Sequence, residues 1–508
     1  MHVTNDMPPQ GHSAPIGLES PRPALGRLWL AGYAILVAGL MLVLRYSFFD
    51  HATELVDLWK ISNHELVPSL VWLAALVLMI AGWLTAIRAA RGVAFRDAWL
   101  PVVGISVLTL IAFALVYPAT AIDVYIYAAR SHLLTDYGLD PSTVTPDRLW
   151  DFDPYVSYAS QEWADDTSPY GPLWNVIAAP ATAFDGERIE IAVLIFKAIM
   201  VAGTAATAML IHDIARRVQP HLALSATLAW LWCPIVLWEG VANAHNDVLL
   251  ILLVVAALWC WVSGHEGGVV PLLGAAALLK VVAVMLIPAA IVAIIFRIGW
   301  NRRLMAVVGQ TAAMSLAILW VAFTPFFDIG GTIDAIQSQR GVWVTSPALL
   351  AATIKDELGY GFDFGPIYER FSTAVIVVLT IGGALVAWRR PEALARIGYE
   401  QLFWFLLLAT SNLRPWYIIW LVALAAVLPL GMPMVRAGAW AIGALASYYY
   451  TSWIQNWTDP TWLERLSITV AIMLVPVLAV TIWDGLRALR RTRPASEAAS
   501  TTHPVPEA

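Results

Sequence analysis

Apolar runs long enough to cross a bilayer recur along the chain, at 25–46, 67–88, 98–118, 189–211, 221–238, 247–263, 304–323, 371–388, 434–450 and 465–486. A helix needs about 20 apolar residues to span the hydrocarbon, and fewer where helices are broken or partly buried in protein. Unsolvated backbone must bond to itself there, which leaves helices as the fold for runs of this kind. Two longer stretches are ambiguous. Residues 269–297 are interrupted by Pro288 and residues 399–430 by Arg414-Pro415, so each reads as one long element or two short helices. With 59% hydrophobic and 13% charged residues, the chain is far from the roughly one-quarter charge of a soluble domain. The expected class is an all-α polytopic membrane protein, with residues 25–490 forming one membrane domain.

The tails read differently. Residues 1–24 hold Pro8, Pro9, Pro15, Pro21 and Pro23 without a helical period, and residues 491–508 are rich in Pro, Ser, Thr, Ala and Glu, so both are expected to be disordered. The first apolar run has no small-residue cleavage site behind it and reads as a first span, not a removed signal peptide. Cys233 and Cys260 lie within apolar runs and read as small buried hydrophobes. A dispersed net charge of −6 offers no basic surface for nucleic acid.

Lys and Arg stay on the cytoplasmic side of short loops. The basic clusters Arg88/Arg91/Arg96, Arg216/Arg217, Arg297/Arg302/Arg303, Arg389/Arg390/Arg396 and Arg487/Arg490/Arg491/Arg493 share one side only if both ambiguous stretches are helical pairs. The apolar stretch 171–184 must then lie at the outer interface without crossing. This parity gives about 12–14 spans with both ends cytoplasmic. It places loops 47–66, 119–188, 239–246, 324–370 and 451–464, with the turn at 413–416, on the outer face. Trp and Tyr there are expected interfacial belt residues and carry no functional signal alone.

Four outer elements stand out. Asp123 follows a span directly and opens a stretch with Tyr125, Tyr127 and Arg130 at roughly helical spacing. A partly desolvated carboxylate makes a better general base; the bland alternative is a helix-capping acid facing water. Further on, Asp151, Asp153, Glu162, Asp165 and Asp166 follow one another, and Asp165-Asp166 is either an acid pair for a divalent cation or two solvated turn residues. Ser168-Pro169-Tyr170-Gly171-Pro172-Leu173-Trp174 is a rigid turn that can line a sugar pocket or simply start the interfacial helix. Asn243-Ala244-His245-Asn246-Asp247 puts four polar groups where a short turn would suffice; helix capping accounts for Asn246 and Asp247 but not for His245 and Asn243. Lys280, inside an apolar run, and Arg414, heading RPWY, are outer cations that snorkel, pair with acids or bind an anion, with Arg340 a weaker candidate.

An early acid after a span, then SPYGPLW, NAHND, a Lys-bearing span and RPWY, in that order from Asp123 to Tyr417, resembles the C-type (GT-C) membrane glycosyltransferases. More narrowly it resembles the polyprenol-phosphomannose-dependent α-1,6-mannosyltransferases. The resemblance implies a large extracytoplasmic first loop carrying interfacial helices, in the cytoplasmic (inner) membrane. It implies a polyprenyl-phosphate sugar donor, a glycan or glycolipid acceptor and inversion at the anomeric carbon. Asp123 would be the general base, and His245, Asn246, Asp247, Lys280 and Arg414 would hold the donor phosphate or sugar. Tyr125, Tyr127, Tyr170, Trp174, Trp416 and Tyr417 would line the pocket. No cofactor is required by that chemistry, and Asp165 and Asp166 leave a divalent metal open. A transporter or flippase of lipid-linked sugars is the rival reading, and a non-catalytic subunit with a docking loop is a third.

Overall fold

The computed structural model describes residues 21–56, 58–159, 163–338 and 341–492. Residues 1–20 and 493–508 of the two tails, with Glu162 and Arg340, lie outside the described residues. Within them the fold is helical, with only two isolated bridges, Ser47 to Val116 and Val344 to Asn412. The membrane scaffold begins with α1 (Pro21–Arg45), so the helix takes in Pro21 and Pro23, which the tail was expected to hold. Pro is at ease in a first helical turn, where its missing N–H has no partner to lose. Next come α2 (Leu66–Ala89) and α3 (Phe95–Ala114), followed by α4 (Asp123–Thr135) and α5 (Pro172–Ala183) in the long first loop. At 12 residues α5 is too short to cross, and it packs on α4, as the interfacial reading of 171–184 expected.

The remainder is α6 (Ile189–Val218), α7 (Pro220–Leu231), α8 (Asp247–Ser263), α9 (Glu266–Ala277), α10 (Val281–Ile298), α11 (Arg302–Phe323), α12 (Phe364–Arg389), α13 (Leu394–Trp404), α14 (Pro415–Val427), α15 (Met432–Tyr449) and α16 (Trp462–Thr492). Both ambiguous stretches are split, the first between α9 and α10 and the second between α13 and α14. The span count differs from the 12–14 expected. Among the described residues eight helices are long and apolar enough to cross a membrane, or nine if α7 and Val236–Ala242, bent by 55°, form one span. The physical reason is that α8, α9 and α14 are shorter, and breaks beside them divert chain into the site. The protein is multi-pass all the same. The faces of α11 and α12 turned away from the bundle carry Met305, Leu316, Trp320, Phe371, Val378 and Ile381, an apolar surface suited to lipid.

Helices meet through small residues and buried indoles. A Cβ built on Gly82 of α2 would come 2.7 Å from the Ala31 carbonyl of α1, so only glycine permits that approach. Trp83 Nε1 donates to the Ala229 carbonyl at 3.1 Å, and Trp230 Nε1 to the Thr204 carbonyl at 2.9 Å, each satisfying a buried polar group. Replacing Gly82 by Val is expected to lower stability by about 1–3 kcal/mol, the usual cost of overpacking. A detergent thermal-unfolding scan checks it, and an unchanged midpoint would show that the α1–α2 contact relaxes freely.

Candidate active site

The outer ends of α3, α4 and α6 and the segment before α8 are tied together before any site residue is placed. Lys197, deep in α6, donates from Nζ to the Val116 carbonyl at 2.7 Å and to the Ala242 carbonyl. Val116 closes the end of α3, seven residues before Asp123, and Ala242 immediately precedes Asn243. Thr120 Oγ1 reinforces the tie, accepting from Trp238 Nε1 at 2.8 Å and from Asn243 Nδ2 at 2.7 Å. Ala244 takes a left-handed backbone, φ +57°, a conformation a non-glycine residue holds only when its surroundings impose it. Asp123, the first residue of α4, therefore sits beside the NAHND turn, its Oδ2 3.9 Å from His245 Nε2.

Asp247 opens α8 and is fully buried. Both its oxygens accept from Lys280 Nζ at 2.8 Å, and Oδ1 also accepts from Trp420 Nε1 at 2.7 Å. Lys280 reaches it because α9 ends at Ala277 and residue 280 is extended, φ −149°. The carbonyls freed at that break are met by the SPYGPLW turn: Gly171 N–H donates to Leu279 O and Leu173 N–H to Leu278 O, both at 3.1 Å. A Cβ on Gly171 would lie 2.2 Å from the Leu278 carbonyl, so glycine is required for the crossing. Lys280 Nζ also stands over the rings of Tyr417 at 4.8 Å and Tyr170 at 5.7 Å.

Arg414 precedes Pro415, which holds it extended, and its Nε donates to Asn412 Oδ1 at 2.8 Å while the guanidinium lies over Trp416 at 5.4 Å. Arg130, one face of α4 further on, donates to the carbonyls of Asp166 at 3.0 Å and Trp163 at 3.4 Å, leaving its buried Nε without a hydrogen bond. Burial lowers the Arg130 pKa, with the Tyr170 phenol and the Asp166 and Asp123 carboxylates opposing that shift.

These elements enclose a cavity of about 690 Å³, lined by Asp123, Ile126, Arg130, Tyr170, Lys280, Arg414, Trp416 and Tyr417. Trp343, Tyr368, Glu369, Ser372, Thr373, Asn412 and Trp420 also line it. Three cations and two acids thus share one aromatic-walled chamber. A wide separation of Asp123, Asp247 and Lys280 would have favoured the docking-loop reading; instead Asp123 and Lys280 line one cavity and Asp247 pairs with Lys280.

Not every expected residue reaches the wall. His245, Asn246 and Asp247 are buried behind it, His245 stacked on Trp416 with ring centres 3.9 Å apart. Tyr125, Tyr127 and Trp174, expected to line the pocket, also lie behind it. Tyr125 donates from its hydroxyl to the Ala52 carbonyl at 2.9 Å, and Tyr127 packs edge-on against Tyr170 and Trp174. On a buried helix one face meets the cavity and the opposite face meets core, and α4 turns Ile126 and Arg130 inward. Asp165 and Asp166 do not line the chamber either. Burial and Asp165 raise the Asp166 pKa, with Arg130 opposing, and among the described residues no three His, Cys, Asp or Glu side chains gather as a metal site.

Sequence reading passed over Arg130 as a site residue, and over Lys197 and Glu239 altogether. The signal for Lys197 was present, since an ionisable residue within an apolar run marks a functional site by default, whereas Glu239 follows the run 221–238 and opens an outer loop. Glu239 is fully buried, accepting from Asn243 Nδ2 at 2.8 Å.

Residues 25–297, which include the cluster from Asp123 to Lys280, match the family model described as Alpha-(1->6)-mannopyranosyltransferase, N-terminal domain. The chain belongs to this family. It is therefore a membrane glycosyltransferase of the mannosyltransferase group with GT-C-like architecture. It is 25% identical over 481 residues to Alpha-(1->6)-mannopyranosyltransferase A of Mycobacterium tuberculosis, covering 91% of this chain and 90% of that protein. With the protein of the same name from Corynebacterium glutamicum the identity is 24% over 365 residues, covering 64% of this chain and 70% of that one. No solved structure matches.

The Asp247–Lys280 pair gives this mannosyltransferase a vulnerable point. Lys280→Met strands a buried carboxylate and is expected to destabilise the fold by about 3–5 kcal/mol. Pairing it with Asp247→Asn is expected to recover most of the unfolding midpoint, because no charge is then left alone. Equal losses in the single and double variants would refute that origin.

Proposed function

We propose that the protein transfers mannose from a polyprenyl-phosphate donor to a glycan or lipid-linked glycan, forming the α-(1→6) linkage named for its relatives, with inversion. The carrying observation is the placement of Asp123 on the wall of one chamber with Lys280, Arg414 and Arg130. Glycosyl transfer from a lipid phosphate needs a base at the attacking hydroxyl and positive charge at the departing phosphate, and the leaving group is good enough to need no general acid. Asp123 is the base. Arg414, Arg130 and Lys280 face the phosphate, with guanidinium groups suited to bind two phosphate oxygens at once. Because Lys280 is already neutralised by Asp247, Arg414 and Arg130 carry more of that load.

Glu369, the other carboxylate on the wall, comes from α12. It stands with Ser372, Thr373, Asn412 and Trp343, groups suited to the hydroxyls and ring face of an acceptor sugar. The chamber opens on the extracytoplasmic side of the inner membrane, with both termini cytoplasmic, a sidedness supported by the five basic clusters, which share one side when the shorter helices α8, α9, α13 and α14 cross with the longer ones.

Asp123→Asn is expected to lower kcat by ~10²–10⁴-fold, the usual contribution of a positioned base, without changing the amount of folded protein. The assay uses purified protein supplied with polyprenyl-phosphate mannose or with a nucleotide-linked mannose. Transfer from the lipid donor alone supports the reading. Transfer from the nucleotide sugar, or full activity in the Asn variant, would overturn the donor or the base respectively.

A further inference from the structure

His245 has no place on the cavity wall, yet its Nε2 lies 3.9 Å from Asp123 Oδ2. Its ring is fixed on three sides. Nδ1 lies 2.9 Å from the Glu239 carbonyl oxygen and 3.2 Å from Glu239 Oε2. Both are acceptors, so Nδ1 carries a hydrogen. The backbone N–H of His245 donates to the same carbonyl at 3.1 Å, and Trp416 covers the ring with only 18° between planes. Rotation is blocked, and Nε2 is left aimed at Asp123 Oδ2, 3.9 Å away.

That nitrogen is buried and makes no hydrogen bond of its own. Leaving a buried ring nitrogen unsatisfied is costly, and a fold keeps one chiefly where a proton or ligand meets it during function. In neutral His245 the Nε2 lone pair points toward the carboxylate, and only a proton between the two makes the approach favourable. Asp123, about one-quarter exposed, has room to swing the remaining distance. Catalytic hydrogen bonds commonly tighten in this way once the reacting complex forms.

We propose that His245 is the second proton carrier of the transfer, receiving through Asp123 the proton that leaves the acceptor hydroxyl, with Glu239 as the positioning residue that holds the ring. The proposal rests on Asp123 being the base. The acceptor O–H bond breaks and its proton goes to Asp123. The electron pair so freed forms the bond from the acceptor oxygen to the anomeric carbon, as the bond from that carbon to the phosphate oxygen breaks. The pair from the second bond leaves with the polyprenyl phosphate. The proton then moves from Asp123 to Nε2, which restores the carboxylate and makes an imidazolium balanced by Glu239. Return of the proton to water by the same route resets the site.

The surrounding charges favour the imidazolium as a resting place. Burial works against it, but the hydrogen bond and charge of Glu239, then Asp123 and Asp247, raise the His245 pKa above its usual value. Asp247 is itself paired with Lys280, Arg414 stands over Trp416 on the covering ring, and the Tyr448 phenol lies beside Glu239. The carrier role requires neutral His245 at the start of each turnover, so the rate rises with pH through the His245 pKa.

The test has two arms on the purified full-length chain. In the first, the His245 imidazole is titrated by ¹⁵N NMR without substrate, its signal assigned by its loss in His245→Gln. Asp123→Asn and Glu239→Gln, both isosteric, are expected to move its midpoint to lower pH, since each removes a neighbouring negative charge. In the second, the acid limb of kcat with the lipid donor is expected to move to lower pH in Glu239→Gln. His245→Gln is expected to lose about 10²-fold in kcat and the limb itself. A His245 midpoint that ignores Asp123→Asn, or an acid limb unmoved in Glu239→Gln, would overturn the proton route. A coupled titration with no transfer from any polyprenyl-phosphate sugar would instead overturn the functional reading, and the proton route with it.

Discussion

The buried pair between Asp247 and Lys280 is the contact on which the site depends. It joins the start of α8 to the break before α10, and through the Trp420 indole it fixes α14 as well. Desolvating two charges is expensive, and such a pair holds only when geometry is good and the spare lone pairs are met. Here both carboxylate oxygens face the ammonium, and one also takes the indole hydrogen. The extended Lys280 backbone is possible because the SPYGPLW turn caps the broken helix, which in turn requires Gly171. One ion pair, one broken helix and one glycine are therefore a single device. It brings Tyr170, Tyr417 and the cation to the same wall.

A second device places Asp123. Lys197 and Thr120 clamp the end of α3 to the approach of α8, which is how Asp123 and His245 meet although 122 positions separate them in sequence. Lys197 holds two carbonyl oxygens inside the bundle, where unsatisfied backbone would be costly. The consequence is preorganisation: His245, Lys280 and Arg414 are each fixed by contacts the substrate does not have to make.

Much of this was legible in the residues. The apolar runs marked nearly every long helix, Pro288 and Arg414-Pro415 marked stretches that do split, and Gly171-Pro172 opened a helix too short to span. NAHND, Lys280 and Arg414 stood out because polar groups near a bilayer are costly and need a reason. Three things were not legible. The helix lengths were one: charge parity counts helical segments, and among the described residues eight or nine are long and apolar enough to cross on length and composition. The inward face of α4 was misjudged: Tyr125 and Tyr127 fall in the core while Arg130 reaches the cavity, and spacing alone does not say which face is which. The tie between His245 and Glu239 was the third: Glu239 opens the outer loop 239–246, and spacing does not say that its carbonyl and carboxylate oxygens meet the ring at Nδ1.

The central claim is that one chamber holds both the base and the leaving phosphate. A cryo-EM structure with a non-hydrolysable phosphonate analogue of polyprenyl-phosphate mannose tests it most directly. The account expects the phosphonate oxygens within hydrogen-bond distance, about 3 Å, of Arg414 or Arg130 and the anomeric carbon open to attack from the Asp123 side. A phosphonate bound outside this chamber, or one that leaves Asp123 facing no part of the sugar, would contradict it.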